Sequence, residues 1–324
     1  MQKILIVGGA GYIGSHTLKH LIDKGYDCVV LDNLGNGHRE AVDARAGFEQ
    51  ADLLDREALK KVFDKYKFDI VIHFAAFIMM GESVVEPQKY YINNVIGTLN
   101  LLEAMLEHDV RKIVFSSTCG VYGDPQYMPM DENHPQLPLN PYSKTKQIVE
   151  NIFRDYADAY GLKYIALRYF NAAGAAPDGS LGESHHPESH LIPLVLKAIK
   201  GERENVKILG NDYDTPDGTC LRDYIHVDDL AAAHRLAVEK IDEFQGFINL
   251  GTGVPTSVTD IISAAEKVTG RKCPVVIDKR RPGDATRLYA DNKKAREILG
   301  WIPQYTNIED IIRTAWNWEL NRRF

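Results

Sequence analysis

Three features of the 324-residue chain predict an α/β fold, a doubly wound parallel sheet followed by a second, smaller α/β substrate-binding domain. Short, wholly apolar runs of strand length recur through the first half, helix-period segments separate them, and the regularity lapses after residue 175. Strands buried on both faces read as continuous apolar runs, whereas a sheet with one wet face would alternate. Runs of that kind alternating with helices imply parallel strands joined by right-handed crossovers. The expected division is 1–175 for the first domain, with 224–250 returning to it, and 176–324 for the second.

With 44% hydrophobic and 26% charged residues, the chain reads as a soluble globular protein long enough for two domains. Its net charge of −7 lacks the basic footprint of a nucleic-acid binder. Cys28, Cys119, Cys220 and Cys273 are widely spaced and form no CxxC, so small buried hydrophobes in a reducing compartment are expected. The opening apolar run has five residues before glycines begin, too short for a signal peptide, and no later segment approaches a membrane span. A cytoplasmic location and no membrane partner are the expectations.

The first strand, Ile4 to Val7, runs directly into GGAGYIG. Gly9, Gly11 and Gly14 satisfy G-x-G-x-x-G, and Gly8, Gly11 and Gly14 satisfy its three-spaced variant; a helical segment follows and stops at Gly25. Glycines at such a junction let backbone N–H groups and a helix N-terminus approach a pyrophosphate. The next strand, Cys28 to Leu31, ends at Asp32, 18 residues past Gly14. An acid there accepts hydrogen bonds from a ribose diol and repels a 2′-phosphate, so NAD rather than NADP is predicted.

Ala51 to Asp55 follows a short strand and precedes a helix over 56–66, which makes Asp52 and Leu53 candidates to border the adenine. A helix cap is the competing role for Asp52. Asp69 to Phe74 is another buried strand, ending in small Ala75 and Ala76. Helical periodicity returns over 90–108, with Asn93 placed to face the nicotinamide side. KIVFSST then forms a strand ending in Ser116, Ser117 and Thr118, and a proline-rich loop leads to a helix over 142–160. Lys163 to Tyr169 is a further strand, ending in Phe170-Asn171. The following NAAGAAPDGSLGESHHPESH has the composition of a connection between domains. It holds Glu183, His185, His186, Glu188 and His190, but nothing elsewhere supplies a spaced partner set, so no metal is expected. Arginines in CLRDY and KRRPGD have the solvated surface as their ordinary role; beside turn residues they also suit a diphosphate.

In NPYSKTK, Tyr142 and Lys146 lie one helical turn apart on one face. A free phenol has a pKa of about 10, and a close cation favours its phenolate. Tyr289 and Lys293 repeat the spacing, so spacing alone selects nothing. What distinguishes Tyr142 is Thr118, at the carboxyl end of the preceding strand, the edge where doubly wound sheets bind ligands. Hydroxyl, phenol and ammonium together predict alcohol oxidation, with Tyr142 as base, Lys146 lowering its pKa and Thr118 sharing the proton.

In chain order GGAGYIGSH, LDNL, ADLLD, HFAA, GES, YYINNV, FSSTCGVYG, PYSKTK, LRYFNAAGA, DGTCLRDYIHVDDLA, NLGTG and RRPGD resemble the landmarks of the extended short-chain dehydrogenase/reductases, and among them the nucleotide-sugar 4-epimerases. The likeness covers nearly the whole chain. It implies a Rossmann-like NAD domain, a nucleotide-sugar domain and a homodimer paired through 90–108 and 143–160. The activity implied is interconversion of UDP-glucose and UDP-galactose by C4 oxidation, rotation of the 4-keto sugar and re-reduction. Carried over residue by residue, the resemblance implies cofactor contacts at Gly8, Gly11, Tyr12, Ile13, Gly14, Asp32, Asn33, Asn36, Gly37, Asp52, Leu53, Phe74, Asn93, Lys146 and Phe170. It implies substrate contacts at Thr118, Tyr142, Asn171, Arg222, Arg281 and Asp284. The seventh residue after Arg281, Leu288, stands where relatives line the sugar; it is shorter than the tyrosine of strict enzymes, so partial turnover of N-acetylated UDP-sugars is expected. Its competing role is packing against Pro282 or the domain seam.

Three departures stand out. Thr118 replaces a serine but keeps the hydroxyl; the segment 76–80 lacks a lysine some relatives place near the phosphates, so Ile78 is assigned no contact; and Pro255 replaces a common glycine. A dehydratase of the same fold would carry an Asp-Glu pair after SST, where this chain has Cys119-Gly120, which cannot serve as acid or base. A non-catalytic NAD-binding scaffold would have no use for Thr118, Tyr142 and Lys146 together.

Overall fold

The computed structural model describes residues 2–281 and 284–324. Its elements in order are β1 (Lys3–Val7), α1 (Tyr12–Asp23), β2 (Asp27–Asp32), β3 (Gly47–Gln50), α2 (Arg56–Lys65), β4 (Ile70–His73), α3 (Met80–Val85), α4 (Pro87–Tyr90), α5 (Gly97–Glu107), β5 (Lys112–Thr118), α6 (Pro141–Tyr160) and β6 (Lys163–Tyr169). There follow β7 (Asn171–Ala173), α7 (Leu191–Lys200), β8 (Val206–Leu209), β9 (Leu221–His226), α8 (Val227–Lys240), β10 (Gly246–Leu250), β11 (Pro255–Ser257), α9 (Val258–Thr269), β12 (Val275–Asp278), β13 (Arg287–Leu288) and α10 (Ile308–Leu320).

Seven parallel strands in the order β10-β6-β5-β4-β1-β2-β3 form the main sheet. Its strand order reverses between β1 and β4, opening a crevice at their carboxyl ends. The apolar runs are explained by its two covered faces: Ile4 and Ile6 enter the core under α1 and α8, whereas Leu5 and Val7 enter the core under α2, α5 and α6. A small sheet of β7, β9, β11 and β13 and a β8-β12 pair form the second region, beside the helical core of α7, α9 and α10. Between α4 and α5 the helix continues through a wider π-type turn, Tyr91–Ile96. Pro255 opens β11 and pairs antiparallel with Asp223, so the loop after β10 enters a strand directly.

Candidate active site

The turn from β1 into α1 is glycine for reasons internal to the protein. Gly8 has a φ of +81°, and a Cβ there would lie 2.5 Å from the Ala75 nitrogen; one on Gly14 would lie 2.2 Å from the Gly8 carbonyl oxygen. Gly11 is not crowded in this way, its nearest such neighbour being 3.5 Å off. It is the N-cap of α1, and no side chain caps that helix. Free N–H groups and the positive end of the helix dipole there suit a pyrophosphate. Ile13, the second residue of α1, packs half-buried on the α1/α8 core.

At the end of β2, Asp32 is buried and accepts N–H bonds from Ala10 at 3.0 Å and Leu34 at 2.8 Å, one on each oxygen. Each oxygen keeps a lone pair for a ribose hydroxyl. Burial raises its pKa against those two bonds. Asn33 Nδ2 donates to Asp52 Oδ2 at 2.7 Å, and Asp52 Oδ1 accepts the Leu54 N–H at 2.8 Å. The cap of α2 is Asp55, so Asp52 is not the helix cap. Leu53 is buried against Gly97, and Gly37 lies so close to Ala10 that a Cβ would come within 2.9 Å of it. The residues at the ends of β1 and β2 therefore fit a dinucleotide, and the acid fits an unphosphorylated ribose.

Thr118 closes β5, and the first turns of α6 carry Tyr142 and Lys146. Asn140 caps α6 by accepting the Ser143 N–H at 2.9 Å, and Pro141 occupies its first turn. Thr118 Oγ1 accepts the Gly120 N–H at 3.1 Å, which leaves its proton for the Tyr142 phenol. Burial pushes the Tyr142 pKa well up, and the Thr118 hydroxyl opposes the shift. Lys146 is buried and donates to the Ser116 carbonyl at 2.7 Å, with its ammonium 4.6 Å from the Phe115 ring centroid. Lys146 thus faces the carbonyl of Ser116, near the end of β5. Burial takes the Lys146 pKa down to about 7, with Glu150 opposing. Lys146 is thus poised between protonation states at neutral pH. The second spacing match carries no such group, because Tyr289 and Lys293 share no helix.

The proposed nucleotide-sugar end lies along β9 and β13. Leu288 pairs with Arg222 in register, and Arg222 forms an ion pair with Asp284 while donating to the Leu221 carbonyl at 2.8 Å. The Asp284 N–H donates to the Arg281 carbonyl at 3.2 Å; Pro282 and Gly283 lie outside the described residues. Arg222 is close enough to Cys119 to favour its thiolate, although burial dominates and holds the thiol up at about 12. Cys119 follows Thr118 directly in sequence. Leu288 packs half-buried against the cluster of Cys119, Tyr122, Met130, Phe170 and Ala290. Asn171 Nδ2 donates to the Asp223 carbonyl at 3.0 Å, fixing β7 against β9.

The Tyr12 hydroxyl donates to the Gly174 carbonyl at 2.6 Å, Phe74 packs on His234 with ring centroids 4.6 Å apart, and Asn36 is exposed. Asn93 Nδ2 donates to Asn94 Oδ1 at 2.9 Å, and the neighbour Asn94 is the buried one, bonded to Phe77 and Thr145. Sequence reasoning missed Asp223, which accepts from Thr252, Gly253 and Ala290 and so pins two loops to β9. It also missed the fully buried Glu150–Arg168 pair. That pair had a signal: Glu150 continues the Tyr142/Lys146 stripe by one turn, and Arg168 interrupts an apolar strand.

Residues 4–251 match the family described as "NAD dependent epimerase/dehydratase family". The UDP-glucose 4-epimerase of Lacticaseibacillus casei is 51% identical over 322 residues, 99% of this chain and 97% of that protein. Among solved structures, the UDP-glucose 4-epimerase from Brucella ovis in complex with NAD superposes with a TM-score of 0.95 at 50% identity, covering 98% of each chain. The enzyme from Bifidobacterium longum in complex with NAD+ and UDP gives 0.94 at 40% identity and 99% of each chain.

Proposed function

The chain belongs to the NAD dependent epimerase/dehydratase family, and from that premise we propose that it interconverts UDP-glucose and UDP-galactose with NAD as its cofactor. The observation that carries this reading is the Thr118 and Tyr142 pair beside buried Lys146, at the carboxyl edge of a sheet whose β2 ends in Asp32. When bound, NAD supplies a reversible hydride acceptor. The α1 N-terminus at Gly11 would hold its pyrophosphate, Asp32 its ribose diol, and Lys146 the second ribose.

Tyr142 takes the proton of the sugar 4-hydroxyl as C4 is oxidised and returns it to the 4-keto oxygen after the sugar has turned over. Thr118 bridges phenol and sugar oxygen, so the proton moves over short hydrogen bonds. Arg222 and Arg281 hold the diphosphate, with Asp284 orienting Arg222; a grip confined to the nucleotide end leaves the sugar free to rotate. Cys119-Gly120, following Thr118, offers no acid or base for eliminating water, which favours epimerisation over dehydration. Leu288, beside Phe170 and Cys119, leaves more room than tyrosine would, which supports partial turnover of the N-acetylated pair.

The proposal extends to a cytoplasmic homodimer. The helical stretch 87–107 packs beside α6, and Ile96 on it remains 46% exposed. The four cysteines are free and buried, and among the described residues no helix is long and apolar enough to cross a membrane. Incubation of the purified protein with UDP-galactose tests the activity: UDP-glucose should accumulate to an equilibrium mixture, and an unchanged substrate would refute it. Sedimentation of a monomer at micromolar concentration would refute the dimer.

A further inference from the structure

Away from that site, the connection between β7 and α7 gathers Glu183, His185, Glu188 and His190, each offering a ligand atom within 4.8 Å of the others. His186 is exposed and outside the set. Glu183 Oε1 accepts from His185 Nδ1 at 3.1 Å and from His190 Nδ1. Glu188 Oε1 accepts the N–H groups of Ser189 and His190 at 2.7 and 2.9 Å. Its other oxygen, Oε2, has no hydrogen-bond partner among the described residues, although the side chain is only 4% exposed; it lies 3.9 Å from His185 Nδ1. A buried carboxylate oxygen of this kind calls for a cation or a donor.

We propose that Glu183, His185, Glu188 and His190 bind one divalent transition-metal ion, zinc in character, as a structural clamp on the connection between the two regions. Imidazole nitrogen and carboxylate oxygen are both donors that zinc accepts, and four of them satisfy its tetrahedral preference. With bonds of about 2.0–2.1 Å, tetrahedral donors sit roughly 3.3 Å apart, so side-chain rotation must close separations of at most 4.8 Å.

The surroundings are those of a fixed site. The Glu183 backbone carbonyl accepts from Trp318 Nε1 at 2.9 Å, which ties the first ligand to α10. The His185 ring meets Tyr12 edge-on at 6.3 Å, and Tyr12 is the first residue of α1. The clamp therefore links α10, the interdomain connection and the first turn of α1 from behind.

The test uses the full chain, stripped with a chelator, equilibrated with zinc chloride at neutral pH and desalted. Elemental mass spectrometry should find one zinc retained per chain, the melting temperature should rise by several degrees with added zinc, and cobalt substituted for zinc should give visible d–d absorption. The double variant Glu188→Gln/His190→Gln should lose the retained metal and the shift while keeping the far-UV circular dichroism of the parent. His190→Gln alone, at a half-exposed side chain, should weaken zinc binding even if the double variant folds poorly. A parent that retains no zinc and melts alike with and without it would overturn the proposal, leaving a cluster held by protons alone. Undiminished zinc in His190→Gln would overturn it too, because the metal would then sit elsewhere.

Discussion

Replacing Glu150 by glutamine is expected to cost about 3–5 kcal/mol of folding free energy, because it strands a buried guanidinium. Glu150 and Arg168 have no exposed side-chain surface. Arg168 Nε donates to Glu150 Oε1 at 2.9 Å and Nη2 to Oε2 at 2.5 Å, while Ser117 Oγ donates to Oε1 at 2.6 Å. The remaining guanidinium nitrogen donates to the Tyr122 hydroxyl at 3.0 Å. Glutamine keeps the shape but presents one acceptor and one donor where three donors converge, and it removes the countercharge. The change also reaches the active site, since Glu150 raises the Lys146 pKa against burial; without it Lys146 should be more fully neutral at neutral pH. Urea unfolding of the parent, Glu150→Gln, Arg168→Met and the double variant provides the assay. The double variant should be more stable than Glu150→Gln, because it removes the stranded charge as well. A cost below about 1 kcal/mol for Glu150→Gln, or a double variant as unstable as the sum of its parts, would show that no buried charge is stranded.

Tyr142→Phe removes only the ionisable oxygen and should lower turnover about 10²–10⁴-fold while fold and NAD binding persist; near-parental turnover in a steady-state assay would remove Tyr142 as base. Leu288→Tyr should lower catalytic efficiency on N-acetylated UDP-sugars about 10–200-fold relative to the parent pair, and an unchanged ratio would show that Leu288 is not the gate. Burial holds His73 at about 3 and His226 and His234 at about 4, with Lys146 adding to the effect at His73. The unfolded chain, titrating near pH 6.5, therefore binds more protons between about pH 4 and 6.5. Stability from these groups is complete above that window and falls on acidification, by up to about 1.4 kcal/mol per pH unit for each histidine. A urea midpoint unchanged between about pH 6.5 and 5 would contradict it.

The main sheet was legible because its strands are covered on both sides, so Ile4 to Val7 needed no alternation to declare themselves. The glycine turn into α1 and the end of β2 at Asp32 were legible because both are set within one β-α-β stretch. Features that depend on contacts distant in sequence were not. Nothing near Lys146 in sequence indicates that its ammonium meets the Ser116 carbonyl, and nothing near Asp223 indicates that Thr252, Gly253 and Ala290 converge on it. Asn94 lies buried within the π-type turn Tyr91–Ile96, bonded to Phe77 and Thr145, and no local pattern announces a turn of that kind. The four ligands between Glu183 and His190 were visible as a cluster of residue types, but only the folded connection gives Glu188 an oxygen with no partner among the described residues.

On the proposed mechanism the hydrogen on C4 is removed and returned within one site, with Tyr142 handling only the proton. UDP-galactose carrying deuterium at C4 tests it directly. The UDP-glucose formed should retain the deuterium at C4 after many turnovers, with none released to water. Loss of the label to solvent as UDP-glucose forms would contradict it.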